Sequence, residues 1–264
     1  MADVQNFTSL FSLKDRVIIV AGGSGGIGSV ISEGFASFGA AVVIWDYALD
    51  KAQTLAEAIQ KRHPSSRVTA SYLDAKNVQG IKEQLQPITE IHGRADVLVN
   101  CVGTHIEQPA EEFTEEQWDT VVSLNLKSAF FLSQAVANQQ IAHNTGGRHI
   151  HISSVRSALG LRRGYSAYCA SKGGLNMLIK QLSTEWAAHG IRVNGIAPTF
   201  TRTPLVSQYV NDPVFMETLI ARIPAGRICE TTDLAGIAAF LSMPISDYIT
   251  GQVIFADGGL TAAQ

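Results

Sequence analysis

The sequence predicts an α/β fold of one domain, a doubly wound parallel sheet with helices on both faces. Short apolar runs alternate with amphipathic helical patterns from residue 16 onward. The apolar runs are continuous, which is typical of strands buried on both faces of a parallel sheet. The chain has 264 residues and 46% apolar composition, enough to fill one such core. Strand–helix–strand repetition of this kind predicts an open, Rossmann-type sheet.

The predicted strands are apolar runs that end at glycine, proline or polar residues. They cover residues 16–21, 40–46, 67–74, 96–100, 148–154, 191–197 and 252–259. Amphipathic periodicity predicts one helix after each of the first six strands. These helices cover residues 26–38, 50–62, 78–92, 115–143, 165–189 and 231–242. The regular alternation assigns the whole chain, residues 1–264, to one domain.

Residues 199–228 interrupt the alternation. The segment contains Pro204, Pro213 and Pro224, and it follows the carboxyl end of a predicted strand. Ligands of doubly wound sheets bind outside the carboxyl ends of the strands. We therefore expect this segment to form a lid over a substrate.

Charge and cysteine content exclude several classes of function. The net charge of −3 disfavours nucleic acid and anionic membranes as partners. No apolar run approaches the ~20 residues needed to cross a bilayer, and the first 16 residues do not resemble a signal peptide. The three cysteines are widely spaced, without a metal-binding or disulfide pattern. We expect a cytoplasmic protein that binds no metal.

A glycine-rich turn joins the first predicted strand to the first predicted helix. Its sequence is AGGSGGIG, with Gly22, Gly26 and Gly28 at the bend. Glycine lets the backbone turn tightly and approach a pyrophosphate, which the free N–H groups of the helix then bind. Asp46 ends the next strand, 18 residues after Gly28, close to the ~20 expected for an acid that binds the ribose of a dinucleotide.

Asp46 also bears on the choice of dinucleotide. Its carboxylate can accept hydrogen bonds from ribose hydroxyls but would repel a 2′-phosphate. Residues 21–30 contain no lysine or arginine, and Tyr47 follows Asp46. The sequence therefore predicts NAD rather than NADP.

The segment YCASK places Tyr168 and Lys172 on one face of a helix, one turn apart. Ser154 ends the preceding strand, so the three side chains meet at one edge of the sheet. Oxidation of an alcohol needs a base for the hydroxyl proton, and tyrosine, with an ordinary pKa of ~10, is weak at neutral pH. An ammonium about 4 Å away favours the phenolate by up to about 4 kcal/mol. We expect Lys172 to lower the pKa of Tyr168, against the opposing effect of burial.

These motifs resemble the short-chain dehydrogenase/reductase family. Its landmarks occur in family order as the Gly-x3-Gly-x-Gly turn, LD at 73–74, NCVG at 100–103, NLKSAF at 125–130, HISS at 151–154, YCASK at 168–172 and ITGQVIFADGG at 249–259. The resemblance spans residues 12–259. It implies hydride transfer between a nicotinamide cofactor and an alcohol or ketone.

The resemblance also implies roles for individual residues. Ser154 would hydrogen-bond the substrate oxygen, and Tyr168 would exchange its proton. Lys172 would bind the nicotinamide ribose, and Asn125 would hold a water of the proton relay. The implied cofactor-binding residues are Gly22, Gly26, Ile27, Gly28, Asp46, Asp74 at the adenine, Asn100 at the adenosine side, Tyr168, Lys172, and Thr203 at the carboxamide.

The chain departs from the family pattern near the expected substrate site. Thr199 replaces the usual glycine after Pro198, which constrains the backbone beside the nicotinamide. The interval from Ser154 to Tyr168 is 14 residues, one longer than expected, and the extra residue predicts a bulge in LGLRRG. Ser153 is a less favoured alternative to Ser154, because it would lengthen the interval further.

Several basic side chains surround the expected alcohol site. Arg156, His105 and Arg202 are the substrate candidates, and they suit a polar, anionic, polyhydroxylated substrate. The segment from Ser154 to YCASK is most similar to gluconate- and polyol-type members of the family. Arg162 and Arg163 lie in the predicted bulge, where exposure to solvent or contact with another subunit is an equal alternative. His105 also fits an ordinary loop histidine.

Two other functions remain open from the sequence. A 3-oxoacyl thioester reductase would share the catalytic residues, but it generally uses NADPH and a basic docking surface. A non-catalytic dinucleotide sensor usually lacks the tyrosine or the lysine. The resemblance further implies a homotetramer, and the apolar residues of the helix at 115–143 suit either an interface or the core.

Overall fold

Seven parallel strands form one sheet in the computed structural model, which describes residues 4–263 apart from the side chains of residues 4–6, 205 and 208. The strands are β1 Val17–Ala21, β2 Ala41–Asp46, β3 Val68–Tyr72, β4 Val97–Asn100, β5 Gly147–Ile152, β6 Ile191–Pro198 and β7 Val253–Ala256. Their order across the sheet is β3-β2-β1-β4-β5-β6-β7. The order reverses between β1 and β4, and a crevice at such a point is where doubly wound folds bind ligands.

Helices connect the strands. They are α1 Gly26–Ser37, α2 Leu49–Arg62, α3 Val78–His92, α4 Glu115–Val122, α5 Ser128–Ala142, α6 Ser166–Glu185, α7 Ser207–Val210, α8 Pro213–Ile220 and α9 Thr231–Ser242. Short 3₁₀ turns occur at Val4–Phe11, Ala110–Glu112, Val155–Ser157, Ala187–His189, Pro204–Val206 and Pro244–Ser246. This alternation confirms the predicted fold class.

Both faces of the sheet are covered. Alternate residues of β1 point to opposite faces, so Ile18 packs in a cluster with Phe35 of α1 and Leu234 of α9. Ile19 packs in a second cluster, with residues of α3 and α5. A third cluster joins α5 and α6 to β6. Burial on both faces explains why the strands are continuous apolar runs.

The helix predicted at residues 115–143 differs in one respect. It consists of α4 and α5 joined by a π-helical turn at Ser123–Lys127, which contains Asn125. Such turns insert a residue into an α-helix and frequently mark functional sites. Amphipathic periodicity could not show it, because one extra residue shifts the pattern only slightly.

The segment 199–228 is partly helical. It contains the 3₁₀ turn Pro204–Val206 together with α7 and α8, and it lies between β6 and α9. Asp212 caps α8, because its carboxylate accepts hydrogen bonds from the Val214 and Phe215 N–H groups. Proline at the first position of α8 also favours the helix start there.

Within residues 4–263, no helix is both long and apolar enough to span a membrane. The three cysteines are free thiols. No group of three or more potential metal-ligating side chains occurs among the described residues.

Candidate active site

The glycine-rich turn lies between β1 and α1 with little room for side chains. Gly22 has a φ of +71°, and a Cβ there would lie 3.0 Å from the backbone of Cys101. A Cβ on Gly28 would overlap the carbonyl oxygen of Gly22. The N-cap of α1, Gly25, makes no side-chain capping hydrogen bond. The backbone N–H groups in the first turn of α1 are therefore available to bind the oxygens of a phosphate.

Asp46 lies beside this turn at the carboxyl end of β2. Its Oδ2 accepts a hydrogen bond from Ser24 N–H at 2.9 Å, and its Oδ1 accepts one from Ala48 N–H at 3.0 Å. In the described part of the chain no lysine or arginine forms an ion pair with Asp46. Asp74 follows the neighbouring β3, and its Oδ1 accepts a hydrogen bond from Lys76 N–H at 2.9 Å. Both carboxylates lie at the β2–β3 end of the crevice.

Asn100 does not direct its side chain into the crevice. It is 2% exposed, its Oδ1 accepts a hydrogen bond from Val102 N–H at 3.0 Å, and its Nδ2 lies 3.4 Å from His151 Nδ1. His151 is its register partner on β5. Asn100 thus links β4 to β5, and its expected place at the adenosine side stays a prediction.

Thr203 and Ile27 lie next to the glycine-rich turn. A Cβ on Gly26 would lie 2.7 Å from Thr203 Cβ, so the lid segment approaches the start of α1 closely. Both Ile27 and Thr203 line a cavity of about 340 Å³. The same cavity is lined by Ser154, Tyr168 and Lys172, which puts the predicted catalytic residues beside the cofactor turn.

Ser154 follows β5 and is the N-cap of the turn Val155–Ser157, where its Oγ accepts a hydrogen bond from Arg156 N–H at 3.1 Å. Its side chain also forms a hydrogen bond with Tyr168. Ser153 Oγ instead donates to Asn176 Oδ1 at 2.6 Å. That buried bond engages the Ser153 hydroxyl elsewhere and favours Ser154 as the serine of the site.

Tyr168 and Lys172 lie one turn apart on α6, as predicted. Lys172 Nζ donates to the Ile152 carbonyl at 2.8 Å and lies 5.8 Å from the centre of the Tyr168 ring. Burial lowers the pKa of Lys172 to about 8. Burial also raises the pKa of Tyr168, while a hydrogen bond with Ser154 opposes the increase.

The direction for Tyr168 is opposite to the expected one. The sequence predicted that Lys172 would lower this pKa, but in the protein alone burial is the largest cause and raises it. Lys172 donates a hydrogen bond to the Ile152 carbonyl and is not among the main groups that shift the pKa of Tyr168.

Asn125 lies in the π-helical turn and is 1% exposed. Its Oδ1 accepts a hydrogen bond from Thr104 N–H at 2.8 Å, and its Nδ2 donates to Thr104 O and to Ser171 Oγ, each at 3.0 Å. These bonds tie the loop after β4 to α6. Gly103 separates Asn125 from Lys172, because a Cβ there would lie 3.2 Å from Asn125 Oδ1 and 3.6 Å from Lys172 Nζ.

Two of the three substrate candidates line the cavity. Arg156 and His105 do, whereas Arg202 forms an exposed ion pair with Glu230, Nε to Oε1 at 2.9 Å, and is not among the lining residues. Arg202 was expected at the substrate because it opens the lid segment. In the structure Arg202 lies next to the bridge between Thr201 and Cys229, and its side chain pairs with Glu230.

His105 packs its ring against two tyrosines of the cavity. The ring centres lie 3.9 Å from Tyr165 and 5.2 Å from Tyr168. Both ring nitrogens are buried and have no hydrogen-bond partner among the described residues. Burial lowers the pKa of His105, so its imidazole is neutral at pH 7 and can both donate and accept a hydrogen bond.

The loop between Ser154 and α6 contains Arg163, whose role the sequence did not decide and which forms an ion pair in the structure. Arg163 binds Glu107 through two hydrogen bonds, of 2.7 and 2.9 Å, and its guanidinium lies 5.2 Å from the Tyr209 ring centre of α7. Arg162 is exposed. Sequence reasoning missed Glu107, Tyr209 and also Arg222, which lines the cavity from the residues after α8. None of them lies in a motif, and only the fold brings them together.

The sequence and the fold were compared with those of known proteins. Residues 21–261 match a protein-family model described as enoyl-(acyl carrier protein) reductase, adh_short_C2. The chain belongs to the short-chain dehydrogenase/reductase family. That membership confirms the resemblance found in the sequence.

The relatives include proteins named for different substrates. The chain is 35% identical to gluconate 5-dehydrogenase of Gluconobacter oxydans over 257 residues, which cover 96% of this chain and 98% of that protein. It is 38% identical over 253 residues to a tropinone reductase homolog of Arabidopsis thaliana, covering 95% and 93% of the two chains. Among solved structures, a gluconate 5-dehydrogenase from Burkholderia cenocepacia in complex with NADP and tartrate matches with a TM-score of 0.92 and 34% identity, over 98% of this chain and all of the other.

The family implies a nicotinamide dinucleotide cofactor, and the residues fit one. The turn at Gly22 and Gly28 is too tight for side chains, the Asp46 carboxylate lies beside it through the hydrogen bond from Ser24 N–H, and Lys172 lines the cavity that Ile27 of the turn also lines. A bound nicotinamide supplies hydride transfer at the cavity. The protein's part is to bind it and to move the proton.

Replacing Tyr168 tests the catalytic assignment. Tyr168→Phe removes the proton donor and acceptor but keeps the ring, so kcat should fall by about 10²–10⁴-fold. Binding of the reduced cofactor, followed by its fluorescence, should stay within a few-fold of wild type. Tyr165→Phe is the matched control, because Tyr165 lines the same cavity and should keep most activity. Turnover by Tyr168→Phe at the wild-type rate would contradict the role of Tyr168 as the acid and base of the reaction.

Proposed function

We propose that the protein is an NAD-dependent oxidoreductase that transfers hydride between nicotinamide and a secondary alcohol or ketone of a sugar acid or related polyol. The observation that carries the proposal is the composition of the cavity. Its lining joins Ser154, Tyr168 and Lys172 to Arg156 and to the unpartnered imidazole of His105. The likeness to proteins named for gluconate supports the same class of substrate.

The proton transfer follows from the three catalytic side chains. In oxidation, Ser154 donates a hydrogen bond to the substrate oxygen and Tyr168 takes the hydroxyl proton. In reduction, Tyr168 returns that proton. Lys172, with a pKa of about 8, is mostly charged at pH 7. A nearby ammonium favours the phenolate, and Asn125 fixes the neighbouring loop and α6 in place.

The other polar groups of the cavity suit a hydroxylated substrate. His105 is neutral and offers one donor and one acceptor to hydroxyl groups. Arg156 offers donors to hydroxyl or carboxylate oxygens. Thr203, Phe215 and Leu219 line the cavity from the segment 199–228, which supports its role as the lid.

A substrate panel tests the activity. We expect NADH absorbance to appear when the enzyme is mixed with NAD⁺ and aldonic acids or polyols, with the highest kcat/KM for a sugar acid. The panel includes an acetoacetyl thioester with NADH and with NADPH. Turnover of the thioester alone would replace this proposal by the 3-oxoacyl thioester reductase. Absence of turnover with tight NADH binding would favour the non-catalytic sensor.

The preference for NAD is argued from Asp46. Its carboxylate faces the glycine-rich turn through Ser24 N–H without a neutralising cation, and like charge opposes a 2′-phosphate. The Burkholderia cenocepacia relative was solved with NADP, so the choice needs its own measurement.

The variant Asp46→Asn tests how the negative charge of Asp46 affects the choice between NAD and NADP. The amide keeps a side-chain oxygen that can still accept a hydrogen bond, and we expect the ratio of kcat/KM with NAD to that with NADP to fall at least about tenfold. Glu57→Gln removes one negative charge from the exposed face of α2 and should leave the ratio unchanged. A wild-type enzyme that prefers NADP would contradict the assignment.

We also propose a homotetramer. The supporting feature is an apolar depression on α5 and α6 that includes Phe130, Phe131, Leu178 and Met177, the last of which is 62% exposed. The monomer has a mass of 28.3 kDa. Light scattering should give about four times that mass for wild type and a smaller particle for Met177→Glu. A wild-type monomer would refute the assembly.

A further inference from the structure

We propose that Arg156 and Arg222 form a carboxylate-binding clamp in the catalytic cavity, through which the enzyme selects sugar acids over uncharged polyols. The inference rests on the proposed function, because it names the group that the same cavity recognises. Arg156 lies two residues after Ser154, whereas Arg222 lies just after α8 in the lid segment. Both line the same cavity of about 340 Å³.

The charged side chains that line the cavity are all basic. Arg156, Arg163, Lys172 and Arg222 line it, and no aspartate or glutamate is among the described lining residues. Glu107 neutralises Arg163 through its two hydrogen bonds. For Arg156 and Arg222, no carboxylate lies within ion-pair distance among the side chains that the structure describes. Arg156 and the exposed Arg222 therefore contribute two positive charges to the lining, and no carboxylate of the described residues pairs with either.

The two guanidinium groups also act on each other. Arg156 Nη1 donates to the Gly160 carbonyl at 3.0 Å, which holds one edge of its guanidinium and leaves the other N–H groups available. Burial lowers the pKa of Arg156, and the charge of Arg222 adds to that effect. A carboxylate has two oxygens and one negative charge, so it can accept a hydrogen bond from each arginine and relieve their repulsion. A hydroxyl group of a polyol supplies no such charge.

The phosphates of the cofactor are the competing occupant. The cavity reaches the glycine-rich turn, because Ile27 and Thr203 line it, but the glycines expected to hold the pyrophosphate, Gly22, Gly26 and Gly28, do not. Ser154 and Tyr168 line it together with the two arginines. The arginines thus share the lining of the reacting groups. A substrate carboxylate bound there would also connect the lid, through Arg222, to the loop after β5.

The test uses D-gluconate and D-glucitol, which share a carbon skeleton and differ in having a carboxylate or a hydroxymethyl group at one end. The variants are Arg156→Gln, Arg222→Gln and Arg222→Lys. Loss of a hydrogen bond between charged groups should lower the gluconate-to-glucitol ratio of kcat/KM by about ten- to a hundredfold in the glutamine variants, mainly through KM. Arg222→Lys should retain part of the ratio because it keeps the charge.

Arg162→Gln is the matched control, because Arg162 is exposed and does not line the cavity; its ratio should equal that of wild type. An unchanged ratio in Arg222→Gln overturns the clamp and leaves the proposed function standing. A comparable loss of NADH affinity in Arg222→Gln also overturns it, because it assigns the arginine to the cofactor.

A thermal melt of the NADH complex decides the case in which neither compound is oxidised. If gluconate raises the Tm of wild type but not of Arg222→Gln, the clamp stands and the proposed reaction fails. If gluconate raises neither Tm, both are refuted.

Discussion

The burial of Lys172 against the carboxyl end of β5 is the interaction on which the rest of the site depends. An ammonium loses hydration when it is buried, and this loss explains the lowered pKa of Lys172. The Ile152 carbonyl accepts a hydrogen bond from it and compensates part of the cost. That bond joins α6 to the carboxyl end of β5 and holds the ammonium 5.8 Å from the centre of the Tyr168 ring. Burial of a lysine costs stability, because its charge loses hydration.

A second set of contacts holds the loops around this centre. Asn125, in the π-helical turn, bonds to Thr104 and Ser171 and so joins the loop after β4 to α6. Arg163 bonds to Glu107 and faces the ring of Tyr209 in the lid segment. The bonds of Asn125 are buried or half-buried, whereas the Arg163–Glu107 pair is exposed. The contacts around Asn125 are therefore better shielded from water than the pair that faces the segment 199–228.

Charge is distributed unevenly along the same crevice. The β2–β3 end carries the carboxylates of Asp46 and Asp74, whereas the cavity over β5 and β6 is lined by arginines and Lys172. The two ends of the crevice therefore carry opposite charges. The overall charge of −3 conceals this separation.

The sequence by itself determined the parallel sheet, the glycine-rich turn and the Tyr168–Lys172 pair. These features depend on short-range periodicity and on residue types that only certain backbones allow, such as the positive φ of Gly22. Tertiary structure decided what depends on orientation: Asn100 turns into the sheet toward His151, Arg202 pairs with Glu230, and burial raises the pKa of Tyr168. It also brought Arg222 to Arg156, across 66 residues of chain. Spacing in a sequence specifies which residues share an element, but the direction of a side chain and its hydration follow from packing between elements that lie far apart in the chain.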